Sequence, residues 1–149
     1  MEAPLARLLA MSLRLLLDEM HRRLADQGFA GLRPAYGFAL NGVGDGVTTA
    51  QLAHIMGMTK QGAAKLVGNL VDDGYLSGRP HEQDGRATLL TLTDRGRDLL
   101  SAAAAVQGEL EEELARSLGR HDVAAARRAL RALVEEYGDG SRPALRPAW

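Results

Sequence analysis

Leu5, Leu9, Leu13, Leu16 and Met20 fall three and four residues apart, which is one face of an α-helix. The pattern predicts a helix over residues 4–26, with Pro4 in the first turn, where a missing N–H costs nothing. Leu8 and Leu15 widen the apolar arc. An arc of that width suits either a central core helix or a helix that packs on its own domain and on a second subunit. Gly28 and Gly31 close the segment. A short helix over 33–40 is predicted next, with Pro34 near its start. Asn41-Gly42-Val43-Gly44-Asp45-Gly46 carries three glycines in six residues, so a loop is predicted there.

Thr48 and Gln51 have the spacing of a capping box, and a third helix is predicted from there, burying Leu52, Ala53, Ile55 and Met56. Gly57 stops it, Met58 forms the turn, and Thr59 caps a fourth helix that runs to about Asp73. Ala63, Leu66, Val67, Leu70 and Val71 form its buried side. Two short helices joined by a glycine-containing turn are the helix-turn-helix pattern. Strands are predicted at about 75–79 and 87–92, with Asp84-Gly85 in the hairpin between them. Thr93 starts a long helix that reaches about Leu118, and Gly119 breaks it. A last helix over 122–137 carries Val123, Ala126, Leu130, Leu133 and Val134 on its apolar side, and residues 138–149 read as a frayed, flexible tail. The fold class is therefore mainly α with a small β-wing.

The side of the fourth helix opposite its apolar stripe carries Gln61, Lys65, Gly68, Asn69 and Asp72, flanked by Lys60 and Ala64. As far as Asn69 this face has two lysines and no acid, and its amide side chains are of the type that pairs with adenine in the major groove. Thr59 and the unpaired N–H groups of the first turn can hold a phosphate. The hairpin holds out Arg79, His81, Gln83 and Arg86, and an arginine on such a tip can enter a narrow minor groove. Asp84 is suited to accept hydrogen bonds from Arg86 or from the turn amides and so fix the tip. On an isolated helix Gln61, Lys65 and Asn69 would be ordinary solvent-facing residues. A preceding capped helix and a following wing favour a DNA-docking surface.

Composition narrows the rest. At 149 residues the chain suits a single domain, and its 46% hydrophobic content can fill a core. Aromatics are 4%, which leaves leucine, alanine and valine to pack between helices. Without cysteine there is no disulfide, thiolate zinc site or cysteine redox switch. His21, His54, His81 and His121 lack paired ligand spacing, so no metal and no cofactor are expected. His81-Glu82 lacks the second histidine of a zinc-protease motif, Gly85 standing in its place, and no serine sits in a nucleophile elbow. Catalysis is not expected. Charged residues interrupt the leucine-rich start and no signal-peptide layout precedes it, which predicts a cytoplasmic protein without a membrane partner. The net charge of −1 argues weakly against a nucleic-acid partner, because the local field of the docking face matters more than the sum. A winged helix used as a protein-interaction module, without DNA binding, is the alternative.

Four motifs in order, Thr59-Lys60-Gln61, Gly74-Tyr75-Leu76, Asp84-Gly85-Arg86 and Leu92-Thr93-Asp94-Arg95-Gly96, resemble the MarR family of bacterial transcription regulators, closely over residues 32–97. The resemblance implies one MarR-like domain over 1–149: a winged helix-turn-helix over 32–95, flanked by dimerisation helices over 1–31 and 96–137. It implies a homodimer that binds double-stranded DNA at a pseudo-palindrome, represses a promoter, and releases it when a small aromatic or anionic effector binds between the lobes. The DNA-binding set carried over is Thr59, Lys60, Gln61, Lys65, Asn69, Asp84 and Arg86, to which the wing adds Arg79. Met20, His21 and Tyr36 are the effector-pocket candidates by position, with interface packing as their plainer role. Members that sense oxidants do so through cysteine, which this chain lacks.

Overall fold

A computed structural model describes residues 2–140. Six helices and three short strands follow in the order α1 (Leu5–Asp26), α2 (Pro34–Val43), β1 (Val47–Thr48), α3 (Thr49–Met56), α4 (Lys60–Asp72), β2 (Leu76–Pro80), β3 (Thr88–Leu92), α5 (Asp94–Leu118) and α6 (Arg120–Tyr137). This is a winged helix-turn-helix between long flanking helices. Residues 141–149 of the tail read as frayed lie outside the described residues. Among the described residues no helix is long and apolar enough to cross a membrane.

The ends of the elements follow from local chemistry. Thr48 and Gln51 form the full capping box, with Thr48 Oγ1 accepting from the Gln51 N–H at 3.1 Å and Gln51 Oε1 accepting from the Thr48 N–H at 2.8 Å. Thr59 and Thr93 cap α4 and α5 in the same manner, accepting from Gly62 and Gly96. At the far end of α4, Tyr75 N–H bonds Leu70 O and Gly74 N–H bonds Val71 O. That pair of bonds is a Schellman motif, and it needs the left-handed φ of +82° that Gly74 supplies.

Leu24, Tyr36, Leu40, Leu52, Leu70, Tyr75, Leu90 and Leu99 meet in one core, so the end of α1, the helix-turn-helix, the sheet and the start of α5 pack as a unit. Each such side chain contributes about 1.5–3 kcal/mol by leaving water. The sheet order is β1-β3-β2, antiparallel throughout, with Val47 opposite Leu90 and Gly78 opposite Leu90 on the other side. A polar tie crosses the core edge: the Tyr36 hydroxyl donates to Asp73 Oδ2 at 2.6 Å, and its ring meets Tyr75 edge-on at 6.1 Å.

Two expectations are corrected, and two features that the sequence left open are added. The predicted loop over 41–46 begins later, because α2 continues through Asn41, Gly42 and Val43. Gly42 lies against Leu52 and Ile55, whose methyls stand 3.3 and 3.2 Å from where its Cβ would be. Val43 is fully buried, and that burial outweighs the roughly 1 kcal/mol cost of a helical glycine. Second, β1 was not foreseen. Third, Ile55 and Val71, expected in the core, are 42% and 40% exposed. Val71 sits at the edge of the arc that Ala63, Leu66, Val67 and Leu70 define at about 100° per residue. Fourth, the apolar side of α6 has no fully buried residue.

Two expected outcomes follow. A Cβ on Gly96 would stand 2.3 Å from the Tyr75 carbonyl oxygen. Gly96→Ala should therefore cost about 1–3 kcal/mol in urea unfolding, through a forced backbone shift. Burial, then the Asp73 carboxylate, push the Tyr36 hydroxyl up to about 12. An unfolded tyrosine ionises near 10. The stabilisation is thus complete below about pH 10 and is lost as pH rises towards about 12. Unfolding midpoints at about pH 9 and about pH 11 should fall further in the wild type than in Tyr36→Phe, and equal falls would contradict the assignment.

Candidate nucleic-acid interface

The surface builds up from α4. Its apolar side is committed to the core, so Gln61 and Lys65 point to solvent, Asn69 is half-buried at the rim, and nothing lies within 4 Å of where a Gly68 Cβ would be. Thr59, capping the helix, and Lys60 at its first position are also exposed. The face from Thr59 to Asn69 carries cations and amides, and the first acid along it is Asp72 at the far end.

The wing is held by backbone pairing as far as Pro80 opposite Thr88, and His81 N–H still reaches Ala87 O at 2.9 Å. Beyond that, Asp84 organises the tip. Its Oδ1 accepts from the Arg86 N–H at 3.0 Å, and its carbonyl accepts from the Ala87 N–H. That geometry is an Asx-turn, and the Arg86 side chain leaves it into solvent. His81 Nδ1 accepts from the Gln83 N–H at 3.2 Å, bracing the other arm of the tip. Arg79 is exposed on β2 opposite Leu89.

The fold brings Lys60 and Arg86 together. Both line one open notch of about 380 Å³ with Thr48, Thr49, Ala64 and Thr88, and no lining residue is acidic. Among the described residues, Lys60, Lys65, Arg79 and Arg86 enter no ion pair. Gln61, Lys65 and Asn69 lie along the open face beside the notch rather than in it. Thr48, Thr49 and Thr88 were missed in the sequence. The capping box placed Thr48 at a helix start, but only the β1–β3 pairing sets that start beside the wing.

The effector candidates are not gathered in one place. Met20 lines a hollow of about 360 Å³ between α1 and α5, with Leu13, Leu16, Phe38, Leu110 and Leu114. His21 is partly buried outside that lining, and burial lowers its pKa against the opposing pull of Asp18. Tyr36 is a core residue at 2% exposure with its hydroxyl already satisfied, in keeping with the plainer packing role. Among the described residues no cluster of three or more His, Cys, Asp or Glu could hold a metal.

A separate group of acids lies on the flanking helices. Arg23 on α1 bonds Glu113 of α5 at 2.7 Å and Glu19 of its own helix at 2.7 Å. Arg127 and Arg120 of α6 bond Glu111 and Glu112 of α5. Hydrogen bonds from Arg22 and then Arg23 hold the Glu19 carboxyl down at about 2. Glu111, Glu112 and Glu113 of α5 are thus matched by arginines of α1 and α6, away from the notch.

Comparison with known proteins agrees with this geometry. A family model described as the MarR family matches residues 38–87, which is the helix-turn-helix and most of the wing. The HTH-type transcriptional regulator PetP of Rhodobacter capsulatus is 30% identical over 90 residues, 60% of this chain and 54% of that protein. The matched stretch therefore spans about half of the relative's length. Among solved structures, the reduced form of MarR from E. coli superposes with a TM-score of 0.77 at 20% identity, covering 90% of this chain and 98% of that one. A mutant MarR from E. coli complexed with operator DNA superposes with a TM-score of 0.70 at 21% identity, covering 88% and 94%. The sequence matches cover the helix-turn-helix and most of the wing, so over residues 38–87 this chain is similar to the MarR family, and the whole of it shares the fold of the solved MarR structures.

Proposed function

We propose that this chain is a sequence-specific DNA-binding transcription regulator that acts as a homodimer on a pseudo-palindromic operator. The observation that carries the proposal is the meeting of Lys60 and Arg86 in an acid-free notch beside the exposed Gln61–Lys65–Asn69 face. A notch with two cations and the start of a capped helix suits a backbone phosphate, because the first turn of a helix leaves N–H groups unpaired. The neighbouring face then lies where base edges are read. A structurally similar E. coli MarR has been solved complexed with operator DNA, which supports the DNA-binding reading.

The homodimer rests on a different surface. Leu5 and Leu15 on α1 are 62% and 66% exposed, and Leu130 and Val134 on α6 are 45% and 53% exposed. Apolar side chains concentrated on the flanking helices call for cover, and a second copy provides it symmetrically. Two copies would present two recognition helices to successive major grooves. The hollow around Met20 is within the size range of small-molecule sites and mostly apolar, which supports an aromatic effector that releases a repressed promoter.

The roles of Arg86 and Gln61 are separable by mutation. Arg86→Ala should weaken binding to the preferred duplex by about 1–3 kcal/mol while sedimentation still reports a dimer. Normal affinity in that variant would remove the wing from the interface. Gln61→Ala should change which sequences are preferred more than it changes overall affinity. A uniform loss on every duplex would assign Gln61 to the phosphate backbone instead.

A further inference from the structure

We infer that Tyr36 is a positioning residue for α4, fixing through Asp73 the angle at which the Gln61–Lys65–Asn69 face is presented. The inference rests on the DNA-binding proposal above. Asp73 is the C-cap of α4, and its own N–H bonds the carbonyl of Asn69, a residue of the presented face. The side chains that bury α4, namely Ala63, Leu66, Val67 and Leu70, are apolar. Apolar contact resists separation but is non-directional, so it tolerates small rotations. A hydrogen bond of 2.6 Å from a buried phenol does not.

The phenol is itself anchored. Its ring packs edge-on against Tyr75 with centroids 6.1 Å apart and planes at 68°. The Tyr75 hydroxyl accepts from Arg95 Nη2 at 3.2 Å. The Arg95 guanidinium lies 4.9 Å from the Tyr75 ring centroid and 5.4 Å from that of Phe29, and donates to Gly28 O at 3.4 Å. The end of α4 is thereby referenced to α2, to the start of α5 and to the α1–α2 connection. Leverage makes this matter. A helix of 13 residues is about 20 Å long. A tilt of about 5° at its C-terminal end moves its N-terminal end by between 1 and 2 Å, roughly, which is enough to break a base-edge hydrogen bond.

The test uses the full chain as wild type, Tyr36→Phe, Asp73→Ala, the double variant, and Asp73→Asn, which keeps an acceptor for the phenol. Affinity is measured for a duplex selected by the wild type and for random duplex, and amide exchange is measured without DNA. Tyr36→Phe and Asp73→Ala should each lose about fivefold on the selected duplex with random-duplex affinity and salt slope unchanged. The double variant should be no worse than either single one, and Asp73→Asn should bind as the wild type does. Exchange at Asp73, Gly74 and Tyr75 should quicken in Tyr36→Phe. Unchanged selected-duplex affinity and exchange in a folded Tyr36→Phe would overturn the inference alone. Equal losses on selected and random duplex would do so too, since they would mark a general effect on the fold. A wild type that binds no duplex would overturn the DNA-binding proposal and this inference with it.

Discussion

The carbonyl oxygen of Tyr75 would stand 2.3 Å from any Cβ placed on Gly96, so only glycine lets α5 approach the start of the wing this closely. Thr93 closes the same joint from three directions. Its N–H donates to Tyr75 O, its hydroxyl donates to Gly74 O at 2.6 Å, and the same oxygen accepts from the Gly96 N–H. One residue thus caps α5, ends β3 and fastens both to the turn that terminates α4. The recognition helix and the wing hang from this joint, and the notch shared by Lys60 and Arg86 exists because both elements are fixed relative to one another. Tyr36 and Arg95 then carry the constraint back into α2 and the α1–α2 connection.

A chain with a net charge of −1 can still offer a cationic surface, because many of its acids are paired on the flanking helices. Glu111, Glu112 and Glu113 of α5 are matched by Arg127, Arg120 and Arg23 from the neighbouring helices. Such exposed pairs add little stability. Their larger effect is on the field, since they hold these glutamates away from Lys60, Lys65 and Arg86, which enter no ion pair among the described residues. The same flanking helices keep Leu5, Leu15, Leu130 and Val134 exposed, so the lobe that gathers the acids is also the one with apolar surface to share.

Much of this was legible in the chain. Capping residues are local, and Thr48, Thr59 and Thr93 each start the helix that their side-chain chemistry predicts. The stripe of Ala63, Leu66, Val67 and Leu70 fixes which side of α4 faces out. The features that escaped depend on tertiary neighbours. Two residues of β1 carry no periodicity, yet their pairing with β3 sets Thr48 and Thr49 against the wing. Gly42 continues a helix that composition argued against, because Leu52 and Ile55 pack where a side chain would be. Tyr36 resembled a crevice residue by position, whereas its partner Asp73 lies 37 residues away and is found only once the fold is formed. For α6 the apolar stripe was visible, but what it packs on was not.

The account's central claim is that a symmetric pair of these surfaces reads duplex DNA. Its most direct test is selection from a random duplex pool, with the affinity of the recovered sites followed against salt. The account predicts an inverted repeat with half-sites about one helical turn apart and a steep fall in affinity as salt rises. Failure to enrich any sequence at low salt would contradict it, and would turn the notch and the wing into a surface for binding protein instead.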